Sequence, residues 1–369
     1  MLFGALGLLL SKKMPKALDV ALKALVVFFY VVGFFRLMLS DAFPVTVING
    51  GMYGGVKVKN VDYLQFYFCQ GNRHPVDNFG VLFYILLLTL RPKCDSIVYI
   101  KKRRLKMEII NAHAHIYPEK IAAKATDTIG VFYDIKMNMP AGTAERLIED
   151  GKRAGTDRYV VHSVATTAHQ VRSINEFIKR EVEAHPEFIG FITLHQDLSE
   201  EEIFNEVDWA IENGFHGIKL HPDFQKFNID DEAVEKFYRA AEGRLPILFH
   251  VGDDRYEYSK PRRLVRMAKK YPRVQFIAAH FGGYRCWDDA ELYRGLPNVY
   301  FDTCSSLPFI STDRAKEIID MLGADRFFYA TDFPMWDSVE ELERFYKIPL
   351  TDTVREMILG GNIKRLLNL

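Results

Sequence analysis

Glutamate is absent from the first 106 residues, a stretch that carries 15 Lys and Arg against 5 Asp. The rest of the 369-residue chain reverses the balance, with 33 Lys and Arg against 43 Asp and Glu, so a formal net charge of zero hides a split of +10 against −10. One folded domain rarely divides its charge this sharply, and the two parts are read separately. An acidic domain gives no reason to expect nucleic acid as a partner. Cysteine is scarce: Cys69, Cys94, Cys286 and Cys304, with no CxxC pair. That spacing argues against a disulfide framework and predicts free thiols in a reducing compartment. Long apolar runs are missing too. Ala24 to Phe35 and Phe79 to Leu90 are each 12 residues, against the roughly 20 that a membrane-spanning helix needs. A span of that length exists only at residues 17–39, and it carries Asp19, Lys23 and Arg36. The opening Leu2 to Leu10 has its charges, Lys12, Lys13 and Lys16, on the wrong side for a signal peptide.

Three readings of residues 1–106 follow: a membrane anchor through residues 17–39, an accessory domain, or upstream sequence translated from a misassigned start. The third is the leading expectation. If Arg103 and Arg104 are both encoded AGG, the message reads AGGAGG two codons before Met107, the layout of a bacterial ribosome-binding site. On that reading the protein is a cytoplasmic enzyme of residues 107–369, with no membrane partner.

From Met107 onward, short β-branched, apolar runs alternate with amphipathic helical stretches. Eight such runs are Ile109–His115, Tyr159–Val164, Ile189–Leu194, Gly217–His221, Ile247–Val251, Gln275–His280, Val299–Thr303 and Phe327–Asp332. Strand–helix alternation predicts βαβ units and a parallel sheet. Eight units in about 250 residues predict a (β/α)8 TIM barrel. The alternative, a doubly wound open sheet, lacks its usual sign, because the first strand ends in His-Ala-His and not in a Gly-rich phosphate loop. The helix expected at Glu201–Asn213 places Ile203, Val207, Ala210 and Ile211 on one face before Gly214, and a second is expected at Asp231–Glu242.

Polar residues gather at the ends of these runs, where barrel enzymes place their chemistry. His113 and His115 are two apart in a strand, so they are expected to point together, into the barrel and towards its C-terminal mouth. His221, His250, His280 and Asp332 close the fourth, fifth, sixth and eighth runs. Imidazole and carboxylate suit zinc and similar divalent ions. A lone buried histidine such as His162 or His195 reads more simply as core. The joint pattern, with GIKLHP at 217–222, HVG at 250–252, HFGG at 280–283 and TDFP at 331–334, resembles the amidohydrolase superfamily, in its amidohydrolase-related branch that includes aminocarboxymuconate-semialdehyde decarboxylase. The resemblance covers nearly all of 107–369 and none of 1–106. It implies one divalent metal, usually zinc, ligated by His113, His115, His250 and Asp332, with His280 as general acid or base. It also allows a second metal bridged by a carbamylated Lys219, with His250 and His280 on that ion. Otherwise Lys219 is a charged group pairing with Asp332 or with substrate, and His221 a pocket wall.

The metal would lower the pKa of water and polarise a carbonyl, while a neutral imidazole moves the proton. The expected reaction is hydrolysis of an amide, ester or lactone in a small-molecule substrate. Arg285 is a candidate carboxylate clamp, or else an ion-pair partner of Asp288 or Asp289. Tyr284 and Trp287 are candidate pocket walls, and Tyr117 a cover over the metal. Non-oxidative decarboxylation is the rival reaction and depends most on Arg285. A membrane-tethered, non-catalytic binding protein is the rival outside enzymes. Related barrels often pair, so a homodimer is allowed.

Overall fold

The computed structural model describes residues 46–48, 51–53, 56–58, 64–66 and 107–369. The chain divides into two units, Met1–Ile100 and Lys101–Leu369. In the first, Thr46–Ile48 pairs antiparallel with Gly51–Tyr53, and Val56–Val58 with Leu64–Phe66. The candidate anchor at 17–39, the apolar run from Phe79 to Leu90, Cys69 and Cys94 lie outside the described residues, as does most of the stretch assigned to a misread start. Among the described residues no helix is long and apolar enough to cross a membrane.

The second unit is a (β/α)8 barrel. Its strands are β1 (Ile110–His115), β2 (Arg158–His162), β3 (Phe188–Thr193), β4 (Gly217–Leu220), β5 (Ile247–Phe249), β6 (Phe276–Ala278), β7 (Val299–Asp302) and β8 (Phe327–Phe328). Each of the eight runs read from the sequence overlaps one, and β2 and β3 begin one residue before their runs. They lie in chain order in one parallel sheet. Closure is made by the chain beyond β8: Ala112 N donates to Tyr329 O at 2.9 Å, Asp332 N to His113 O at 3.0 Å and His115 N to Phe333 O at 2.8 Å.

Two apolar layers result. Ile110, Ala112, Val160, Ile189, Phe191, Leu248, Ile277, Ala279, Cys304, Phe328 and Ala330 cluster inside the barrel. Their alternates, among them Tyr159, Val161, Ile218, Leu220, Ile247, Phe249, Phe276 and Phe301, pack under the helices. This is the period-2 pattern of strands buried on both faces. Helix ends are sealed locally. Ser199 and Glu202 form a reciprocal capping box on Glu200–Glu212, and Gly214, with φ 74°, follows that helix.

The alternation breaks where the chemistry begins. Ile110 and Ala112 are interior, so strict alternation would send His113 and His115 outward. Between Asn111 and Ala114 the β1–β2 register shifts: Asn111 pairs with Tyr159, but Ala114 pairs with Val161. One extra residue on β1 therefore changes the phase, which is what a β-bulge does. His113 and His115 then face inward, while Ala114 and Ile116 join the outer layer.

Candidate metal centre

At the mouth of the barrel, His113 Nε2, His115 Nε2 and Asp332 Oδ1 form a triangle with edges of 3.3, 3.4 and 3.5 Å. All three side chains are buried. Three groups that accept hydrogen bonds cannot face one another so closely at no cost, unless a proton or a cation sits among them. Tetrahedral ligands at bond lengths of about 2.0–2.2 Å would stand roughly 3.3–3.6 Å apart. The donor set of two imidazoles and one carboxylate therefore fits a divalent ion in both chemistry and spacing.

The surroundings hold this triangle in register. His113 Nδ1 lies 2.8 Å from Asp302 Oδ2, which assigns the proton to Nδ1 and leaves Nε2 an acceptor, the tautomer metal-binding histidines adopt; Lys219 Nζ is the donor nearest to it. Asp302 also accepts from His280 N at 2.8 Å and from Cys304 Sγ at 3.1 Å. Ser305 Oγ donates to Asp332 Oδ2 at 2.6 Å and accepts from Trp336 Nε1 at 2.9 Å. Below the triangle, Asn111 Nδ2 donates to Thr331 Oγ1 at 2.7 Å and Asn111 Oδ1 accepts from Thr331 N at 3.1 Å. Asn111 thus stitches β1 to the strand-8 exit across the bulge that turns His113 inward.

His280 reaches the pocket by a backbone device. Ile277 and Ala279 are interior, so an extended chain would place His280 outside; instead His280 and Phe281 are left-handed, with φ of 64° and 55°. Asp332 is left-handed as well, with φ 57°. Such conformations cost a non-glycine residue about 1–3 kcal/mol and gather at functional sites. The glycines of the two neighbouring motifs answer to contact. A Cβ at Gly252 would sit 2.3 Å from Tyr284 N, and one at Gly282, with φ 86°, would sit 2.7 Å from the Tyr293 ring.

The second side of the pocket is a chain of rings. His280 Nδ1 faces Cys304 O at 3.2 Å and His280 Nε2 faces His250 Nδ1 at 2.9 Å. His250 Nε2 lies 3.3 Å from Asp223 Oδ2, and His250 stacks on His221 at 4.0 Å with 5° between planes. Tyr133 Oη is 2.9 Å from His221 Nε2 and 3.4 Å from His250 Nδ1. The structure thus brings His113, His115 and Asp332 together and places His250 beside them in the same pocket, turned toward His280 and Asp223.

Burial lowers the imidazole pKa of His115 and of His280 to about 4, so both rings are neutral at pH 7. Burial also lowers Lys219 to about 8, and its Nζ is 3.0 Å from His113 Nε2. The whole pocket encloses about 330 Å³ including its open mouth, and is lined by both groups together with Lys219, Ile129, Met137, Phe224, Pro334 and Met335.

The remaining sequence candidates fall at three depths. Tyr284 is buried and meets Tyr133 edge to face at 5.4 Å. Trp287 donates Nε1 to His280 O and to Ser306 Oγ, each at 3.1 Å, so it braces the backbone of His280. Arg285 is exposed, and its guanidinium stacks 3.9 Å over Phe309; Asp288 pairs instead with Arg314. Tyr117 stacks on His115 at 6.4 Å. Asp302 and Tyr133 were not singled out from sequence. Asp302 carried a usable sign, a carboxylate inside the apolar run Val299–Thr303. Tyr133 carried none, because helix Glu119–Tyr133 delivers it from 18 residues beyond His115.

The sequence pattern of the family described as Amidohydrolase matches residues 110–369. No curated protein matches the chain. Among solved structures, 5-carboxyvanillate decarboxylase LigW from Sphingomonas paucimobilis superposes with a TM-score of 0.56 at 16% identity, over 72% of this chain and 100% of that one. The 5-carboxyvanillate decarboxylase of Novosphingobium aromaticivorans, complexed with manganese and a nitrobenzoic acid, gives 0.58 at 16% identity, over 72% and 97%. A probable 2-pyrone-4,6-dicarboxylic acid hydrolase from Acinetobacter baumannii, with citric acid bound, gives 0.52 at 15% identity, over 71% and 100%. At such identities the likeness establishes the shared barrel fold.

Proposed function

Because the chain belongs to the amidohydrolase family, we propose that it is a metal-dependent hydrolase of small carbonyl compounds: amides, esters or lactones. The observation that carries this reading is the 3.3–3.5 Å triangle of His113, His115 and Asp332. Bound there, a divalent ion supplies Lewis acidity, making water a nucleophile near neutral pH and polarising a carbonyl.

The protein's own groups do the rest. Asp302 orients His113, and Ser305 holds the Asp332 carboxylate so that Oδ1 stays on the triangle. His280 has its Nδ1 proton committed to Cys304 O, so Nε2 shares one proton with His250 Nδ1 across 2.9 Å. With the contact to His250 opened, His280 Nε2 can receive a proton lost from the nucleophile and return it to the leaving group. Tyr133 Oη caps the His221–His250 stack from the helix side. Phe224, Met137 and Met335 exclude water from an apolar wall.

One observation favours decarboxylation as a second reading. Lys219 is the one lysine or arginine lining the pocket among the described residues, and its amine beside His113 is placed to pair with a substrate carboxylate. Solved structures of this fold include decarboxylases. Against it, Arg285, a candidate clamp, is exposed and stacks on Phe309.

The test is the purified full chain, assayed for metal content and turned over on a panel of amides, esters, lactones and carboxylated aromatics. We expect a divalent ion, chelator-sensitive turnover and hydrolytic products. Release of carbon dioxide without hydrolysis would select the second reading. Turnover indifferent to chelation by a metal-free protein would sink both.

A further inference from the structure

We infer that His162 is a third imidazole of the metal centre; the inference rests on reading the triangle as a metal site. In the β1–β2 ladder His162 is the cross-strand partner of His115. Val160 is interior, so the alternate residue His162 also faces inward. Its ring meets those of His115 at 4.4 Å and His113 at 4.9 Å, edge on in both cases. One ligand atom from each of His113, His115 and His162 lies within 4.8 Å of the others.

The ring is fully buried, with 0% exposure. Neither nitrogen has a hydrogen-bond partner among the described residues. Buried imidazoles are otherwise almost always paired, and a core role would be served as well by a phenyl ring. His162 is not among the residues that line the pocket. His115 Nδ1 is unpaired as well. Beside the unpaired His162 ring lie His113 and His115, two of the triangle's three members. A cation there receives the lone pair of one His162 nitrogen. The buried group His221, Asp223 and His250 makes a poorer site. Its two rings are parallel, and lone pairs in parallel planes do not converge on one ion.

The experiment uses the full chain loaded with Zn2+ or Co2+, with imidazole ligands counted by X-ray absorption and affinity measured by competition with a chelator. His162→Phe should lower the imidazole count by one and weaken metal binding by at least about tenfold, as loss of a ligand or its close support does. In excess chelator the same variant should unfold at or above the wild-type temperature, because an unpaired buried group has been removed. His162→Gln, which is smaller, should lower the count by one if the phenyl variant fails to fold. Three outcomes overturn the inference: wild-type affinity and count in both variants, an equal loss of thermal stability with and without metal, or a count that falls in His250→Gln and not in His162→Phe. His113→Ala separates the two claims. If it abolishes binding while the His162 variants bind normally, the metal centre stands and only this inference falls. If the wild-type chain binds no metal, both fall.

Discussion

Two groups of side chains face one another across the pocket, and they are wired differently. On the β1–β8 side, donors converge: His113, His115 and Asp332 point at one another across 3.3–3.5 Å. On the β4–β6 side, polar atoms are strung in a line, from His221 through Tyr133 and His250 to His280. Convergence of lone pairs is the electrostatic signature of a cation site, whereas a line of alternating donors and acceptors holds and moves protons. Both sides are rich in histidine, so composition does not tell them apart; the direction of the nitrogens does.

The comparison can be broken most decisively from the convergent side. His113→Ala or Asp332→Ala should abolish bound metal and reduce turnover below detection, as metal analysis beside an activity assay would show. Metal retained in either variant would remove the distinction. On the linear side, His280→Gln should leave metal content unchanged while cutting kcat by about 10²–10⁴-fold, the range for a positioned proton-transfer group. Parallel loss of metal would move His280 to the convergent group.

A smaller effect is expected one step behind the triangle. Asp302→Asn should weaken metal affinity by about 10–100-fold, the usual consequence of removing the carboxylate behind a ligating histidine; competition titration reads it directly. Arg285→Ala should change kcat/KM by less than about twofold, since a side chain stacked on Phe309 at the surface contributes little to binding. A hundredfold loss on a carboxylated substrate would show that the loop folds inward on binding and would favour decarboxylation.

The last prediction concerns the scaffold. Burial raises the carboxyl of Glu341 to about 7. Its Oε1 accepts from Arg344 at 2.6 Å, while its Oε2 has no partner among the described residues. The folded pKa lies above the unfolded value, so this group's contribution is full below about 4.5 and is lost as pH rises through about 7. Glu341→Gln should remove that loss, raising Tm by about 2–4 °C at pH 8 relative to the wild-type chain and by less at pH 5. Scanning calorimetry at the two pH values checks the sign.

Much of the barrel was legible because each strand announces itself locally. Runs such as Ile189–Leu194 and Ile247–Val251 are apolar and β-branched enough to be recognised without their neighbours. The metal-binding character of the mouth was legible for the same reason, since His113, His115, His250, His280 and Asp332 each end a run. The inward direction of His113 and His115 was expected; less visible was the backbone device that brings it about. Alternation alone would have turned His113 and His115 outward, and it would have left His280 outside as well. A bulge at Asn111–Ala114 and a left-handed turn at His280 correct both. Neither leaves a mark in composition, because each depends on hydrogen bonds to residues far along the chain: Thr331 for Asn111 and Asp302 for His280. Arg285 shows the converse. Its position on an active-face loop was correct, but the aromatic surface of Phe309, remote in sequence, claimed its guanidinium.

By itself, then, the order of residues determined the number of strands, their parallel arrangement and the residue types at their ends, because periodicity and side-chain chemistry are properties of short segments. Only the tertiary structure decided which nitrogens converge and which form a line, how the Asp302 and Asn111 side chains lock that choice, and that the ring of His162 is left without a partner in the interior. Those outcomes turn on shifts of a single residue in register and on contacts between segments more than 100 residues apart, such as the 189 that separate His113 from Asp302.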